Sequence, residues 1–154
     1  MDSFGTEVYV GCTGAEYLTY PNVVTNISYN ELPYTSVSGS YPNYVYHNSA
    51  IKGLYLSHNL QAFSKEYNGC PNLKRIDVDE LDFWFSATHY SHVKYSPLCN
   101  HADLYLNNEL VEELVVPEGV TRIPEYAFCG GTFKRVILSS TVQEIGEYAF
   151  YNCN

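Results

Sequence analysis

The chain has 154 residues and 45% hydrophobic content, which suits one globular domain with a core of its own. Its formal net charge is -9, with only 8 Lys plus Arg, so it lacks the basic stripe that displaces counterions from nucleic acid and the cationic patch that anionic membranes attract. No run reaches the roughly 18 apolar residues of a membrane span, and MDSFGTEVYVGC has neither the basic nor the apolar region of a signal peptide.

Residues 1–50 are the least regular part. Glu16 to Tyr20 and Val23 to Ile27 read as two strands parted by Pro21 and Asn22. Leu32 to Tyr46 is rich in Ser, Gly, Pro, Asn and Tyr and reads as a loop. Residues 1–50 are expected to form a degenerate first turn or cap, because a terminal unit must cover an open core end.

A pattern starts at Ile51. IKGLYLSHNLQAF, residues 51–63, lies over FKRVILSSTVQEI, residues 133–145, with Lys52, Leu56, Ser57 and Gln61 matching Lys134, Leu138, Ser139 and Gln143. Tyr67 and Cys70 then take the places of Phe150 and Cys153. LKRIDV, residues 73–78, opens another unit, with apolar Leu73, Ile76 and Val78 and polar Arg75 and Asp77. Its period of two marks a short strand with one buried face. The unit breaks off into an insertion over residues 80–113. There, LYL and ELV flank Asn107-Asn108, a plausible hairpin because Asn tolerates positive φ.

The C-terminal stretch says one sentence twice. A shift of 22 residues superposes Val120, Ile123, Glu125, Tyr126, Ala127 and Phe128 on Val142, Ile145, Glu147, Tyr148, Ala149 and Phe150. Leu114, Val115 and Val116 also find apolar counterparts in Val136, Ile137 and Leu138. Repeats of this length cannot bury their own apolar face, so neighbours must stack. In each copy the strand points Val136 and Leu138, or their equivalents, inward. A turn follows at Pro117-Glu118-Gly119 or Ser139-Ser140-Thr141. Val142 and Ile145 cross the opposite wall, and Glu-Tyr-Ala-Phe is expected to make a helical turn with Phe150 filling the core. The fold expected is therefore a solenoid of short parallel strands, residues 51–154, behind the 1–50 cap.

Cys12, Cys70, Cys99, Cys129 and Cys153 form no C-x-x-C pair, and the odd count argues against a complete disulfide framework. Cys70 and Cys153 sit at repeat positions, where a small buried hydrophobe is the favoured reading. The 16 tyrosines suit either a contact surface or a solenoid with one wet side.

The units VVPEGVTRIPEYAF and VILSSTVQEIGEYAFYNC, with a looser LYLSHNLQAFSKEYNGC, resemble the BspA-like leucine-rich repeats, the type-5 leucine-rich repeat family. SPLCNHADLYLNNELVEELVVPEGV is similar to the interruption found in many members. Gly131 stands where Cys is usual, Pro124 replaces the glycine matched by Gly146, and Cys129 is off-pattern. The resemblance implies a leucine-rich-repeat solenoid, mostly β, its short strands stacked in a right-handed coil with short helical turns. It also implies a cell-surface or secreted protein that adheres to or binds another protein, such as a host surface or matrix protein, without catalysis or cofactor. On it the chain is expected to be a fragment of a longer surface protein.

The best candidate for chemistry is His89-x-x-His92 with Cys99-x-His101, four residues of zinc-ligand type within a short span. Their spacing is not that of a recognised finger, and a loop with surface histidines is the favoured reading, so no metal is assigned. A Cys/His nucleophile pair lacks an oxyanion site and an orienting third group. Trp84, between Phe83 and Phe85, is read as a plug closing a gap in the stack rather than as a ligand anchor. Glu112-Glu113 and Asp79-Glu80-Asp82 show no calcium-loop pattern and read as a solvated acidic face. Asn26-Ile27-Ser28 is a glycosylation sequon, with meaning only in a eukaryotic secretory setting.

Side chains between the inward anchors face out: Tyr55, Arg75, Asp77, Val115, Arg135 and Ile137. Side by side they would form a ribbon suited to a protein partner. The rival readings are a purely structural spacer and a metal-binding module, or metal-dependent enzyme, built on residues 89–101. Open sheet edges also make end-to-end self-association possible.

Overall fold

A computed structural model describes residues 14–19, 36–38, 45–47, 49–63, 67, 69–89 and 95–154. The expected strand at Val23 to Ile27, the sequon at Asn26, Cys12 and His92 lie outside the described residues.

The first strands are β1 (Tyr17–Thr19), β2 (Ser36–Ser38), β3 (Val45–His47), β4 (Gly53–Tyr55), β5 (Ala62–Phe63) and β6 (Arg75–Val78). A short helix α1 (Asp82–Ser86) and β7 (Thr88–His89) follow. The C-terminal part holds β8 (Asp103–Leu106), β9 (Glu109–Leu110), β10 (Glu113–Val115), β11 (Arg122–Ile123), β12 (Arg135–Ile137) and β13 (Glu144–Ile145).

The first wall is a five-stranded sheet ordered β1-β4-β6-β8-β9, parallel through β8. Its register lines up Leu18, Leu54, Ile76 and Leu104, all buried. A three-residue strand has room for one inward side chain flanked by two outward ones, which explains this single file of aliphatic residues. The rung therefore returns at Asp103, inside the 80–113 segment, and the hairpin to β9 turns through Asn107 and Asn108 at φ 51 and 68. The second wall holds two parallel pairs, β5 with β7 and β11 with β13. Among the described residues strand thus far outweighs helix, and its parallel pairs stack on two walls.

Three expectations need correction. Ser36–Ser38 and Val45–His47 pair antiparallel within the stretch read as a loop. Val37, Val45 and Tyr46 are strand formers, and three-residue strands are outvoted by the loop-like composition around them. The Glu-Tyr-Ala-Phe segments are not helical. Tyr126 and Tyr148 take left-handed backbone, φ 55 and 57, inside successive tight turns closed by Ala127 N–H to Pro124 O and Ala149 N–H to Gly146 O. That conformation costs about 1–2 kcal/mol per residue. The stack offsets it: the two rings lie 5.1 Å apart, and Tyr126 N–H donates to Glu147 O. Third, Val136 and Leu138 share the inward side with buried Leu114 and Val116 but are themselves exposed, because among the described residues β12 pairs with β10 alone.

Helix α1 packs the insertion into the core. Five residues make no stable helix alone, and it is held by burying Phe83, Trp84 and Phe85. Trp84 stacks on Phe128 at 5.9 Å and 8°, and Phe128 on Phe150 at 5.7 Å and 9°. The Trp84 Nε1–H donates to Ala127 O at 2.6 Å, and Ser96 Oγ–H to Cys129 O at 2.7 Å. The Trp84 plug reading agrees with this geometry.

Candidate functional site

Alternation places two outward rows on the first wall: Tyr17, Gly53, Arg75 and Asp103, then Thr19, Tyr55, Asp77 and Tyr105. Arg75 ties the rows together. Its guanidinium donates to both Asp77 carboxylate oxygens at 2.7 Å and to Asn108 Oδ1 at 2.6 Å, and its Cζ lies 3.9 Å from the centre of the Tyr105 ring. The bond to Asp77 raises the Arg75 pKa further, and partial burial, then Asp79 and Asp77, raise that of Tyr55. Such a fork over an aromatic ring is held in one orientation, a preorganisation lysine would lack.

Gly53 shapes the surface beside it. A Cβ there would come within 2.7 Å of the Tyr17 ring, so glycine leaves space for a tyrosine that is itself 63% exposed. A hollow of about 340 Å³ results, with Tyr17, Thr19, Tyr55, Arg75 and Asp77 among its lining.

Val115, Arg135 and Ile137 stand apart from this sheet. They belong to the two-stranded sheet β10-β12, where Val115 pairs with Ile137 and Arg135 bonds Glu113 at 2.8 Å. Val115 is 54% exposed and Ile137 39%. The ribbon expected from the sequence is therefore split into two patches by the β8–β9 hairpin. Beside the hairpin runs a groove of about 470 Å³, apolar at Leu81, Leu106, Leu110, Val111 and Val115 and edged by Glu109, Glu112 and Glu113. Sequence reasoning missed this groove and the roles of Tyr17 and Tyr105. The alternation in LYL could have flagged Tyr105, but the groove arises only where the two sheets separate.

Among the described residues the His/Cys candidates His89, Cys99 and His101 do not group around a common point. His89 Nε2–H donates to Trp84 O at 2.8 Å, whereas His101 Nδ1 lies 3.1 Å from the Asn154 amide. Burial, then neighbouring Cys129 and Cys70, pushes the Cys99 thiol up to about 12. Burial, then Cys153, pushes Cys129 up to about 11. Both stay protonated at neutral pH, the form that neither attacks a carbonyl nor ligates zinc well. Among the described residues no three His, Cys, Asp or Glu side chains group as they would around a metal. The acidic pairs are also engaged: Asp79 bonds His58 at 2.9 Å, and Glu112 bonds Lys134.

Burial pushes the His89 imidazole down to about 4 from its ordinary 6.5, opposed by the bond to Trp84 O. Below pH 6.5 the unfolded chain binds a proton that the folded site refuses, so stability falls as pH drops from 6.5 to 4. The loss through this group is about 3 kcal/mol. Urea midpoints measured across that range are expected to fall more steeply for the wild type than for His89→Gln. Parallel curves would mean that His89 titrates normally.

The two C-terminal copies stack in register, β10 on β12 and β11 on β13. The family model described as BspA type leucine rich repeat region (6 copies) matches residues 101–154. That stretch is similar to the BspA-type leucine-rich repeats. No curated protein and no solved structure matches the chain. The match begins at the β8 rung, so β8 through β13 all fall within the BspA-type region. Among the described residues no helix is long and apolar enough to cross a membrane.

Proposed function

We propose that this chain is a non-catalytic solenoid module that binds another protein through its first wall, in a cell-surface or secreted leucine-rich repeat protein. Residues 51–154 form its body, interrupted at about 80–113, and residues 1–50 its degenerate first repeat or cap. The observation that carries the reading is the outward set Tyr55, Arg75, Asp77 and Tyr105, with Arg75 fixed by three hydrogen bonds and an aromatic face. Exposed Val115 and Ile137, beside Arg135, extend the contact surface across the groove. Large, rigid, amphipathic side chains of this kind lose little entropy on binding. The BspA-type match supports an interaction repeat and the surface setting that such repeats commonly have.

The test is an array of purified extracellular proteins probed with the wild type and with the triple variant Tyr55→Ala, Arg75→Ala, Ile137→Ser. A partner that binds the wild type at least about tenfold more tightly, about 1.4 kcal/mol, is the expected result. Equal binding by both proteins would favour the spacer. Stoichiometric zinc in elemental analysis would instead favour the module built on His89, His92, Cys99 and His101.

A further inference from the structure

We propose that the groove between the β8–β9 hairpin and β10 takes an extended segment of a partner protein as an added strand on β10. The segment is apolar at alternate positions and basic at one flank. This site is separate from the first-wall rows of Tyr55 and Arg75 and does not depend on them.

The hairpin creates the groove. Because β9 takes the outer edge of β8, the first sheet ends there, and β10 pairs with β12 in a sheet of its own. Leu81, Leu106 and Val111 are partly buried and pack on the core, which gives the groove an apolar base. Leu110 and Val115 line it at 43% and 54% exposure. A volume of about 470 Å³ has room for apolar side chains from alternate positions of a strand.

The backbone says how a segment would lie. Arg135 N–H donates to Glu112 O, and Val116 N–H donates to Ile137 O. Bonding residues alternate along a parallel strand, so β10 commits the groups of residues 112, 114 and 116 to β12. Those of Glu113 and Val115 aim the other way, and both residues line the groove. An extended peptide laid there gains main-chain hydrogen bonds from β10 and apolar contacts from the base.

Charge selects the occupant. The lining carries Glu109, Glu112 and Glu113 and no cation. Lys134 and Arg135 reach Glu112 and Glu113 from β12, so Glu109, next to the hairpin turn, is the carboxylate that meets a partner's Lys or Arg. A second copy would bring the same carboxylates and a net charge of -9 of its own, and anionic lipid would be repelled likewise.

The test is selection of the folded chain against a displayed library of random heptapeptides, followed by fluorescence anisotropy of enriched peptides at low and high salt. Enriched peptides are expected to alternate apolar and polar residues beside a Lys or Arg. Leu110→Glu and Val115→Glu should each weaken them at least about tenfold. Glu109→Lys should weaken them and flatten the salt dependence, whereas Glu147→Lys, the same charge change at an exposed position outside the groove, should do neither. Methylating alternate peptide amides should remove binding in one phase and spare it in the other, as strand addition requires. Circular dichroism checks that the variants, all at exposed positions, fold. No enrichment, enrichment of acidic peptides, or binding indifferent to Leu110→Glu would overturn the proposal. So would peptides lost with Tyr55→Ala instead, which would place them on the first wall and leave that reading standing.

Discussion

Replacing Trp84 by alanine is expected to remove about 3–5 kcal/mol of stability, the usual cost of deleting a fully buried aromatic ring. Total stability for a domain of this size is roughly 5–15 kcal/mol, so the loss should be visible as a large drop in urea midpoint. Three effects add. The indole is fully buried, its ring stacks on Phe128, and its Nε1–H supplies a hydrogen bond to Ala127 O, which would otherwise be left short of a donor. Trp84→Phe keeps the stack and loses the donor, so about 1–3 kcal/mol is expected. A loss below about 1 kcal/mol for Trp84→Ala would mean that the insertion is not packed into the stack at all.

Gly130→Ala is expected to cost about 2–4 kcal/mol, from left-handed strain together with overpacking. Gly130 sits at φ 85, and a Cβ there would come within 2.3 Å of Leu98 O and 2.9 Å of Cys99 Cα. Those atoms are backbone and cannot swing aside like the tip of a long side chain. The substitution pushes the coil from Leu114 onward off the 95–100 segment, against the Ser96 bond to Cys129 O. Thermal unfolding of G130A beside Gly119→Ala separates the two causes. Gly119 has φ 95 but open space around its Cβ, so only the strain applies there. Equal losses at both positions would remove the packing argument.

The C-terminal units were legible because identity at six positions, Val120 to Phe128 against Val142 to Phe150, leaves one register for stacking. The outward assignment of Tyr55, Arg75, Asp77, Val115, Arg135 and Ile137 followed from alternation alone. Their division into two patches did not, because it depends on where the hairpin leaves the wall. The tyrosine turns were hidden for a different reason. Glu, Ala and Tyr tolerate helix, and only contacts between successive coils favour left-handed Tyr126 and Tyr148. Tertiary context overrode local preference there. The rung at Asp103–Leu106 was equally obscure, since LYL reads as a hairpin arm and nothing local reveals its parallel pairing with Arg75–Val78. Exposure of Val136 and Leu138 had no sequence signal either, because pattern sets direction and not the presence of a covering layer.

The central claim is that the first wall is the surface a partner covers. Hydrogen–deuterium exchange of the chain bound to a partner from the protein array tests it most directly. The account predicts slowed exchange in the amides of β4, β6 and β8, whose strands carry Tyr55, Arg75 and Tyr105. Protection confined to the second wall, at β11, β13 and the Tyr126 and Tyr148 turns, would contradict it.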